Sequence, residues 1–209
     1  MESKDESRWD RKHRAIMEAA TSLFLTQGYL GTSMDEVAAK AAVSKHTVYS
    51  HFADKERLFS AIILATTDQI DQLVGVVAEA LADTRDVKRD LATLARRFLD
   101  ALLTPELLQL RRLVIANADR FPDLGRTWYE SGFERILAML ATSFARLAHR
   151  NLLQVNDPLL AANHFVGMVL WIPVNRAMFT GSSDHDTPAE LEHYAHAAAD
   201  AFLRAYGTP

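Results

Sequence analysis

The sequence predicts an all-α protein, and three observations lead to this fold class. Among its 209 residues, glycine and proline number only 8 and 6, while alanine and leucine are plentiful. Apolar residues recur at the three- and four-residue spacing of an amphipathic helix. No segment alternates apolar and polar residues over the length of a strand. The hydrophobic fraction, 49%, is large enough to bury a sizeable core.

The N-terminal part is predicted to hold four helices, over about residues 9–27, 34–41, 45–51 and 55–82. Gly28 is a natural stop for the first helix, and Ser33, Ser44 and Asp54 are suited to cap the following three. Ser33 also forms a capping box with Glu36. The second and third helices are joined by a tight turn and braced by the first, which is the arrangement of a helix-turn-helix unit.

The C-terminal part is predicted to be a helical bundle, which brings the total to about nine helices. Its helices are expected over residues 87–103, from 105, and over 124–150, 158–179 and from 188. Thr187-Pro188 combines a cap with proline at the first helical position, a strong start signal. We therefore expect a helix-turn-helix domain over residues 8–54 and a helical ligand-binding and dimerisation domain over residues 55–209.

Several function classes are excluded or disfavoured by composition. The chain has no cysteine, which excludes disulfides, thiolate catalysis and cysteine-ligated zinc. It also lacks a glycine-rich nucleotide loop and the common hydrolase and metalloprotease motifs, so neither an enzyme nor a cofactor is expected. His193 and His196, near Asp184-His185-Asp186, leave a metal site as a minor alternative to a loop that caps the last helix; we predict no metal.

No targeting or membrane segment is predicted. The first 16 residues are charged and lack the apolar core of a signal peptide. The longest apolar run, residues 165–174, is too short to cross a bilayer. A cytoplasmic protein without a membrane partner is therefore expected.

Charge is distributed unevenly along the chain. The net charge is -4, but the first 60 residues carry nine basic and nine acidic side chains, so the acidic excess lies in the remainder. From Lys40 to His51 there are two lysines, two histidines and no acid. Such a local positive patch can guide a segment onto phosphates, although an ordinary solvated loop is an equal alternative on charge alone.

The third helix is the candidate reading element. Val48 lies on its predicted buried side with Phe52, and the other face presents Lys45, His46, Thr47, Tyr49, Ser50 and His51. A helix fits the DNA major groove, where side chains of these types reach base edges and phosphates. An amphipathic surface helix inside an ordinary bundle remains the alternative on this pattern.

Three segments resemble the DNA-binding domain of the tetracycline-repressor (TetR) family, over about residues 12–60. They are Thr32-Ser33-Met34-Asp35-Glu36-Val37-Ala38, Ala42-Val43-Ser44-Lys45-His46-Thr47-Val48-Tyr49, and His51-Phe52-Ala53-Asp54-Lys55-Glu56 with Leu58. The resemblance implies that Thr32 and Ser33 approach phosphate, that Lys45, His46 and Thr47 approach bases, and that Tyr49, His51 and Lys55 approach the backbone. Ser44 and Ser50 complete the predicted DNA-binding set.

Two positions depart from the family pattern. The family usually has glycine where Ala42 stands, and alanine at positive φ costs about 1 kcal/mol. It often has glycine where His46 stands, so this histidine adds a base contact or changes which operator is read.

The C-terminal part resembles the effector domain of the AefR-like branch of the same family, at Arg111 to Pro122, Trp128-Tyr129 and Asp157-Pro158. This implies a dimerising, ligand-binding domain. Apolar and amphipathic residues are the candidates for a ligand pocket: Phe98, Asn117, Trp128, Phe133, His164, Met168 and Trp171. Plain core packing is the alternative for each of them.

The helix at 158–179 is apolar nearly all round, so it needs two partners. We assign its Leu160, His164, Met168 and Trp171 side to the core or pocket and its Val166 and Val169 side to a second copy. The predicted homodimer interface is Val166, Val169, Leu191, Tyr194, Ala198 and Phe202. A single-chain bundle that buries both helices internally is the alternative.

The expected function is a homodimeric, ligand-responsive transcriptional regulator. Most simply, it is a repressor that holds a palindromic double-stranded DNA operator until a small apolar or amphipathic effector moves the fourth helix. The alternative is a helical dimer that binds a small molecule or a partner and no longer reads DNA.

Overall fold

The structure, a computed structural model, describes residues 7–65, 81, 83–181 and 186–208. Within these ranges the chain is helical apart from its connections and one isolated antiparallel bridge between Leu153 and Gly207. The helices are α1 (Arg8–Gly31), α2 (Met34–Lys40), α3 (Lys45–His51), α4 (Lys55–Ala65), α5 (Val87–Leu102), α6 (Pro105–Ala116), α7 (Pro122–Tyr129), α8 (Arg135–His149), α9 (Pro158–Thr180) and α10 (Pro188–Tyr206).

A π-helical turn, Glu130–Glu134, joins α7 directly to α8, so residues 122–149 form one helical run. Counted in this way, the described residues form nine helices, which confirms the all-α prediction. The predicted fourth helix extends to residue 82, but residues 66–80 lie outside the described part of the chain, as do Asp184 and His185 of the alternative metal site.

The chain divides into two compact units. Unit 1 contains the described residues within Met1–Thr66 together with Leu110–Thr127, and unit 2 contains those within Thr67–Gln109 and Trp128–Pro209. The first unit therefore extends past the predicted boundary at residue 54 and includes a second stretch of chain. Aromatic packing explains the added stretch, since the Phe121 ring lies 4.8 Å from Tyr29 and 5.8 Å from Phe59.

In unit 1, α1 packs against α2 and α4, and α2 packs against α3. The predicted stripe of α1 is buried: Ile16, Ala19, Ala20, Leu23 and Phe24. Gly28 has a φ of 73°, which breaks the helical backbone inside α1 at the predicted stop. Ala42 adopts a φ of 52° in the turn between α2 and α3, so an alanine does occupy the left-handed conformation that favours glycine.

In unit 2, α9 packs against α5, α8 and α10, and α10 also packs against α5. Three rings, those of Phe144, Phe165 and Phe202, meet at the centre with centroids 4.9 to 5.9 Å apart. All three side chains are fully buried. This core fixes which side of α9 faces inward.

One of the described helices, α9, is long and apolar enough to cross a membrane by length and composition alone. The ten-residue apolar run that we judged too short lies within this longer helix. The buried core helix of a protein that never enters a membrane passes the same test, and α9 has three packing partners in unit 2.

Candidate functional site

The third helix exposes most of the side chains predicted to read DNA. Ser44 caps it, accepting a hydrogen bond from the Thr47 backbone N–H at 3.1 Å. Val48 is its buried residue, and Lys45, His46, Tyr49 and Ser50 are exposed. Local chemistry alone accounts for this arrangement, because one apolar residue anchors the helix and a hydroxyl cap fixes its first turn.

Three hydroxyl groups, on α3 and its N-terminal cap, form hydrogen bonds with the backbone or with each other. The Ser44 and Thr47 hydroxyl oxygens lie 2.8 Å apart, and the Ser50 hydroxyl donates to the Thr47 carbonyl at 2.7 Å. Thr47 is half-buried. These bonds hold the hydroxyl groups in fixed positions at the surface of α3.

Lys45 is held by an acidic residue of the neighbouring helix. Its Nζ lies 2.7 Å from Oδ1 and 3.0 Å from Oδ2 of Asp35. This hydrogen-bonded ion pair raises the pKa of Lys45. The same ammonium lies 6.0 Å from the Tyr49 ring centroid. The ion pair with Asp35 thus positions the Lys45 ammonium, which is predicted to approach a base, at the surface of α3.

At the start of α2, Ser33 is exposed, and its backbone N–H and hydroxyl donate to Glu36 at 2.8 and 2.7 Å. Glu36 in turn donates its N–H to the Ser33 hydroxyl, so the predicted capping box is present. Hydrogen bonds from Ser33 lower the pKa of Glu36.

Two residues predicted to face DNA are instead committed to the inside of unit 1. Thr32 is 2% exposed, and its hydroxyl donates to the Gly28 carbonyl at 2.9 Å. The Lys55 ammonium donates to the Tyr29 and Thr32 carbonyls at 2.9 Å each. The prediction that Thr32 approaches phosphate is wrong, because this side chain is buried, whereas Lys55 is half-buried and its approach to DNA stays a prediction. Both side chains supply donors to carbonyls near the break at Gly28.

His51 lies in a ring cluster rather than on an open face. Its ring centroid is 4.5 Å from that of Trp9 and 5.6 Å from that of His13. The Nδ1 atoms of both histidines are buried and have no hydrogen-bond partner among the described residues. Burial lowers the pKa of His51, and the nearby His13 and Lys12 lower it further. This half-buried ring joins the end of α3 to the start of α1.

Sequence reasoning missed Asp35, Trp9 and His13. Nothing in the sequence links Asp35 to Lys45, ten residues away on another helix. Trp9 and His13 did carry a signal, because residues four apart share one face of a helix. Their rings stack at 5.0 Å.

A clamp formed by Arg120 and Phe121 on Tyr29 was also missed. The Tyr29 ring has the Lys55 ammonium 4.4 Å from its centroid and the Arg120 guanidinium 5.2 Å from it. Phe121 contacts the same ring edge-on. Desolvation lowers the pKa of Lys55, and the charge of Arg120 lowers it further. The clamp ties the stretch just before α7 to the ends of α1 and α4.

A small apolar cavity in unit 2 is the candidate ligand site. It has a volume of about 10 Å³, which is room for about one water molecule. Two predicted ligand residues, Phe98 and Phe133, line it, and a third, Trp128, contacts Phe133 edge-on with centroids 5.7 Å apart. Its lining is Phe98, Leu102, Phe133, Ile136, Leu137, Val166 and Leu170.

The other predicted ligand residues lie elsewhere. Asn117 belongs to unit 1, and its amide donates to the Leu113 carbonyl at 2.8 Å. On α9, His164 is exposed and hydrogen-bonds the Tyr206 hydroxyl at 2.5 Å. Met168 and Trp171 are 39% and 71% exposed. Their assignment to a buried pocket is wrong, because α9 turns this side outward.

Three of the six residues predicted for the dimer interface lie in the core instead. Val169, Ala198 and Phe202 are buried in the core of unit 2. Val166, Leu191 and Tyr194 are partly buried and pack against that core. An all-round apolar helix carries no polarity signal for its outward side, so the two sides of α9 were exchanged.

No group of three metal-ligating side chains occurs in the part of the chain that the structure describes. His196 instead lies 3.0 Å from Glu192 on its own helix, and Asp186 pairs with Arg176 at 2.5 Å. The pairing of Asp186 fits the favoured reading, in which this loop leads into the last helix.

Comparison with known proteins covers both parts of the chain. A family model described as the C-terminal domain of AefR-like transcriptional repressors matches residues 89–208, and one described as bacterial regulatory proteins of the tetR family matches residues 16–62. A solved structure from Mesorhizobium loti MAFF303099, assigned to the TetR family, is 51% identical and has a TM-score of 0.88, covering 97% of this chain and 100% of the other.

Two further relatives are more distant. The flavonoid-responsive regulator FrrA is 29% identical with a TM-score of 0.73, covering 94% of this chain and 97% of FrrA. The transcriptional activator FasR of Mycolicibacterium smegmatis is 34% identical over 91 residues, 44% of this chain and 40% of FasR. The chain spans 32% to 64% of the length of the curated relatives it matches. By the match over residues 89–208 and the solved relative, the chain belongs to the TetR family of bacterial regulatory proteins.

Proposed function

We propose that the protein is a transcriptional regulator that binds a double-stranded DNA operator through α3. The observation that carries this proposal is the division of α3, which buries Val48 and exposes Lys45, His46, Tyr49 and Ser50. Lysine and histidine reach base edges and phosphates in the major groove, and the tyrosine hydroxyl donates to phosphate. Ser33 and Ser44, which cap α2 and α3, and Thr47 within α3 support these contacts.

The regulator acts as a homodimer in this proposal. The outward side of α9 carries large apolar side chains, among them Trp171, Ile172 and Phe179, which are 71%, 49% and 89% exposed. A second copy with the same surface would cover them in a two-fold interface. Two-fold symmetry would also present two copies of α3 to half-sites about 34 Å apart, one turn of DNA.

A small, mostly apolar effector binds in unit 2 and controls DNA release. The apolar lining around Phe98 and Phe133 suits such a molecule, and FrrA, a relative over nearly its whole length, responds to flavonoids. The cavity is small, so binding requires it to open. Reversing an operator from 99% occupied to 99% free takes an affinity difference of about 5.5 kcal/mol between the two conformations.

The route to α4 runs through α7. This helix begins just after the clamp residues of unit 1, and its last turn contains Trp128 of unit 2, whose ring contacts that of Phe133. A shift of Phe133 on effector binding would move α7 along its axis. The clamp of Arg120 and Phe121 on Tyr29 would pass that shift to Lys55 at the start of α4.

Repression is the proposed sign of regulation, because the family model that covers most of unit 2 describes repressors. FasR, a relative of this chain, is an activator, so an experiment must determine the sign of regulation. The protein is proposed to work in the cytoplasm, where its operator lies, without a cofactor, a membrane partner or a catalytic reaction.

The test is a gel shift with DNA from immediately upstream of the protein's own gene, against random DNA of equal length. We expect Lys45→Ala to weaken operator binding at least about tenfold and Tyr49→Phe about threefold, since these changes remove a base contact and a phosphate contact. Lys88→Ala in unit 2, which removes an equal charge from an exposed ion pair with Asp200, is the matched control.

The expected result is operator preference in the parent and in Lys88→Ala, with loss in the two α3 variants. Equal binding of operator and random DNA by all four proteins would contradict the assignment of α3. Effector binding without any DNA affinity would support the alternative, a helical dimer that no longer reads DNA.

A further inference from the structure

Trp128 carries a buried hydrogen-bond donor that no described residue satisfies. The side chain is 7% exposed, and its indole Nε1 has no acceptor among the described residues. An indole can only donate, and buried tryptophans usually find a partner for this N–H. An unpaired donor inside a protein is costly enough to need a physical reason.

The apolar cavity of unit 2 lies one ring away from this donor. Phe133 both lines the cavity and contacts the Trp128 ring at a centroid distance of 5.7 Å and an interplanar angle of 69°. Every lining side chain is a hydrocarbon. A molecule that entered by displacing Phe133 would therefore meet an aromatic and aliphatic surface and reach the Trp128 ring, which carries the unpaired N–H.

The backbone under Phe133 is suited to such a displacement. Phe133 belongs to the π-helical turn Glu130–Glu134, and the preceding Gly132 is buried in it. Turns of this kind are rare within α-helices and occur often at functional sites. Because this turn interrupts the regular α-helical hydrogen bonds between α7 and α8, it is the part of the helical run where a movement of Phe133 is most easily accommodated.

We propose that the effector is a neutral, largely aromatic molecule with one oxygen acceptor that receives the Trp128 indole N–H. This deepens the proposed function and rests on it. A neutral ketone or ether fits, because its oxygen accepts one hydrogen bond and the rest of the molecule needs no hydrogen-bond partner from the hydrocarbon lining. An ionised carboxylate would lose its hydration for a single neutral hydrogen bond, which the lining cannot offset.

The test compares 1-tetralone with tetralin, which share one ring skeleton and differ by a carbonyl group. Ligand-observed NMR titrations give the affinity of each for the full-length parent and for Trp128→Phe, which keeps an aromatic ring and removes the N–H. We expect the ratio of ketone to hydrocarbon affinity to fall about tenfold in the variant. Trp9→Phe, the same change at an exposed site, should keep the parent ratio.

A second measurement does not depend on the stability of the variant. In the ¹⁵N-labelled parent, 1-tetralone should move the Trp128 indole N–H resonance downfield, while tetralin should not. An unchanged affinity ratio in Trp128→Phe, an indole resonance that ignores the ketone, or failure of both compounds to bind the parent would each overturn the proposal. No DNA is present, so failure here is separate from failure of operator binding in the gel shift.

Discussion

α3 and α9 each have one side exposed to solvent and one side buried in their unit. On α3 the exposed side is polar and the buried side apolar, whereas on α9 both sides carry large apolar side chains. On α3, Val48 is inside, and lysine, histidine, tyrosine and serine side chains are outside. On α9, Phe165 and Val169 are inside, but Trp171 and Phe179 are outside. Water solvates the polar side chains of α3 well and the exposed apolar side chains of α9 poorly.

This difference separates two kinds of surface. A polar strip on a small helix can stay open to solvent until nucleic acid arrives, at little cost in stability. Large exposed apolar side chains such as those on α9 are the observation that supports the proposed dimer, because proteins rarely leave contiguous apolar area bare. In the proposed function, the exposed side of α3 in unit 1 meets a charged partner, and the exposed side of α9 in unit 2 meets a second apolar surface.

The largest expected effect tests which side of α9 and α10 is inside. Phe202→Ala should lower the free energy of unfolding by about 3–5 kcal/mol, because it removes a fully buried ring from contact with Phe144, Phe165 and Tyr206. Urea denaturation followed by circular dichroism measures this loss.

Trp171→Ala is the matched change on the outward side. It should leave the stability of the monomer within about 0.5 kcal/mol, as for an ordinary surface substitution. Because a large aromatic ring is a typical hot spot, it should also weaken self-association at least about tenfold in sedimentation equilibrium. A strong loss of monomer stability from Trp171→Ala together with a weak loss from Phe202→Ala would reverse the comparison.

The next effect tests whether the two units communicate through the clamp. Arg120→Met removes the guanidinium from the Tyr29 ring while keeping a long side chain. Operator affinity and effector affinity should stay close to those of the parent, since neither α3 nor the cavity lining changes. Release of DNA by effector should become about two- to fivefold less sensitive, because the cation–π contact of the exposed Arg120 contributes about 0.5–1 kcal/mol to the coupling.

Arg126→Met is the control for the clamp. Arg126 lies on α7, which begins two residues after Arg120, and forms an exposed ion pair with Asp123, so its loss should leave release unchanged. Titrating effector into the labelled protein–operator complex and following fluorescence anisotropy compares the three proteins. Equal sensitivity in Arg120→Met and the parent would show that coupling takes another route.

Unit 1 could be predicted closely from the sequence because its signals are local. Hydroxyl caps, a glycine stop and one apolar anchor fix α2 and α3 within a few residues of their observed bounds. The exceptions, Thr32 and Lys55, are side chains recruited by carbonyls left free where α1 breaks. For Lys55 the recruiting carbonyls are more than 20 residues away along the chain, which spacing does not reveal. For Thr32 the carbonyl is only four residues away, but it is free because α1 breaks at Gly28.

The helices of unit 2 could be predicted from the sequence, but which of their sides are exposed could not. The helices were expected because their periodicity and proline starts are local signals. Which side of α9 turns outward depends on how Phe165 meets Phe144 and Phe202, three rings from three different helices. The pocket residues on α9 were misplaced with the interface, whereas Phe98 and Phe133, on strongly amphipathic segments, were placed at the cavity.

A smaller effect tests whether the left-handed backbone of Ala42 strains the turn between α2 and α3. Ala42 has a φ of 52° between α2 and α3, and Asn151 has a φ of 56° in unit 2. Ala42→Gly should raise the free energy of unfolding by about 0.5–1 kcal/mol, because glycine adopts this conformation without steric strain. Asn151→Gly should gain less, since asparagine tolerates it. Equal gains in thermal or urea denaturation would show that the turn carries no special strain.

The smallest effect concerns the half-buried His51, and its sign follows from the direction of the pKa shift. Burial beside Trp9 and the charges of His13 and Lys12 lower the pKa of His51 below its ordinary value of 6.5. Above that value His51 is neutral in both states, and its contribution to stability is complete. As pH falls through about 6.5, the unfolded chain takes up the proton first, so stability falls until the folded ring also titrates.

His51→Phe keeps a ring against Trp9 and removes the proton site. Urea midpoints measured between about pH 5 and 8 should therefore fall less steeply with acid in the variant than in the parent. Parallel pH profiles would mean that the polar strip of α3 ends before His51 and that this ring serves packing alone.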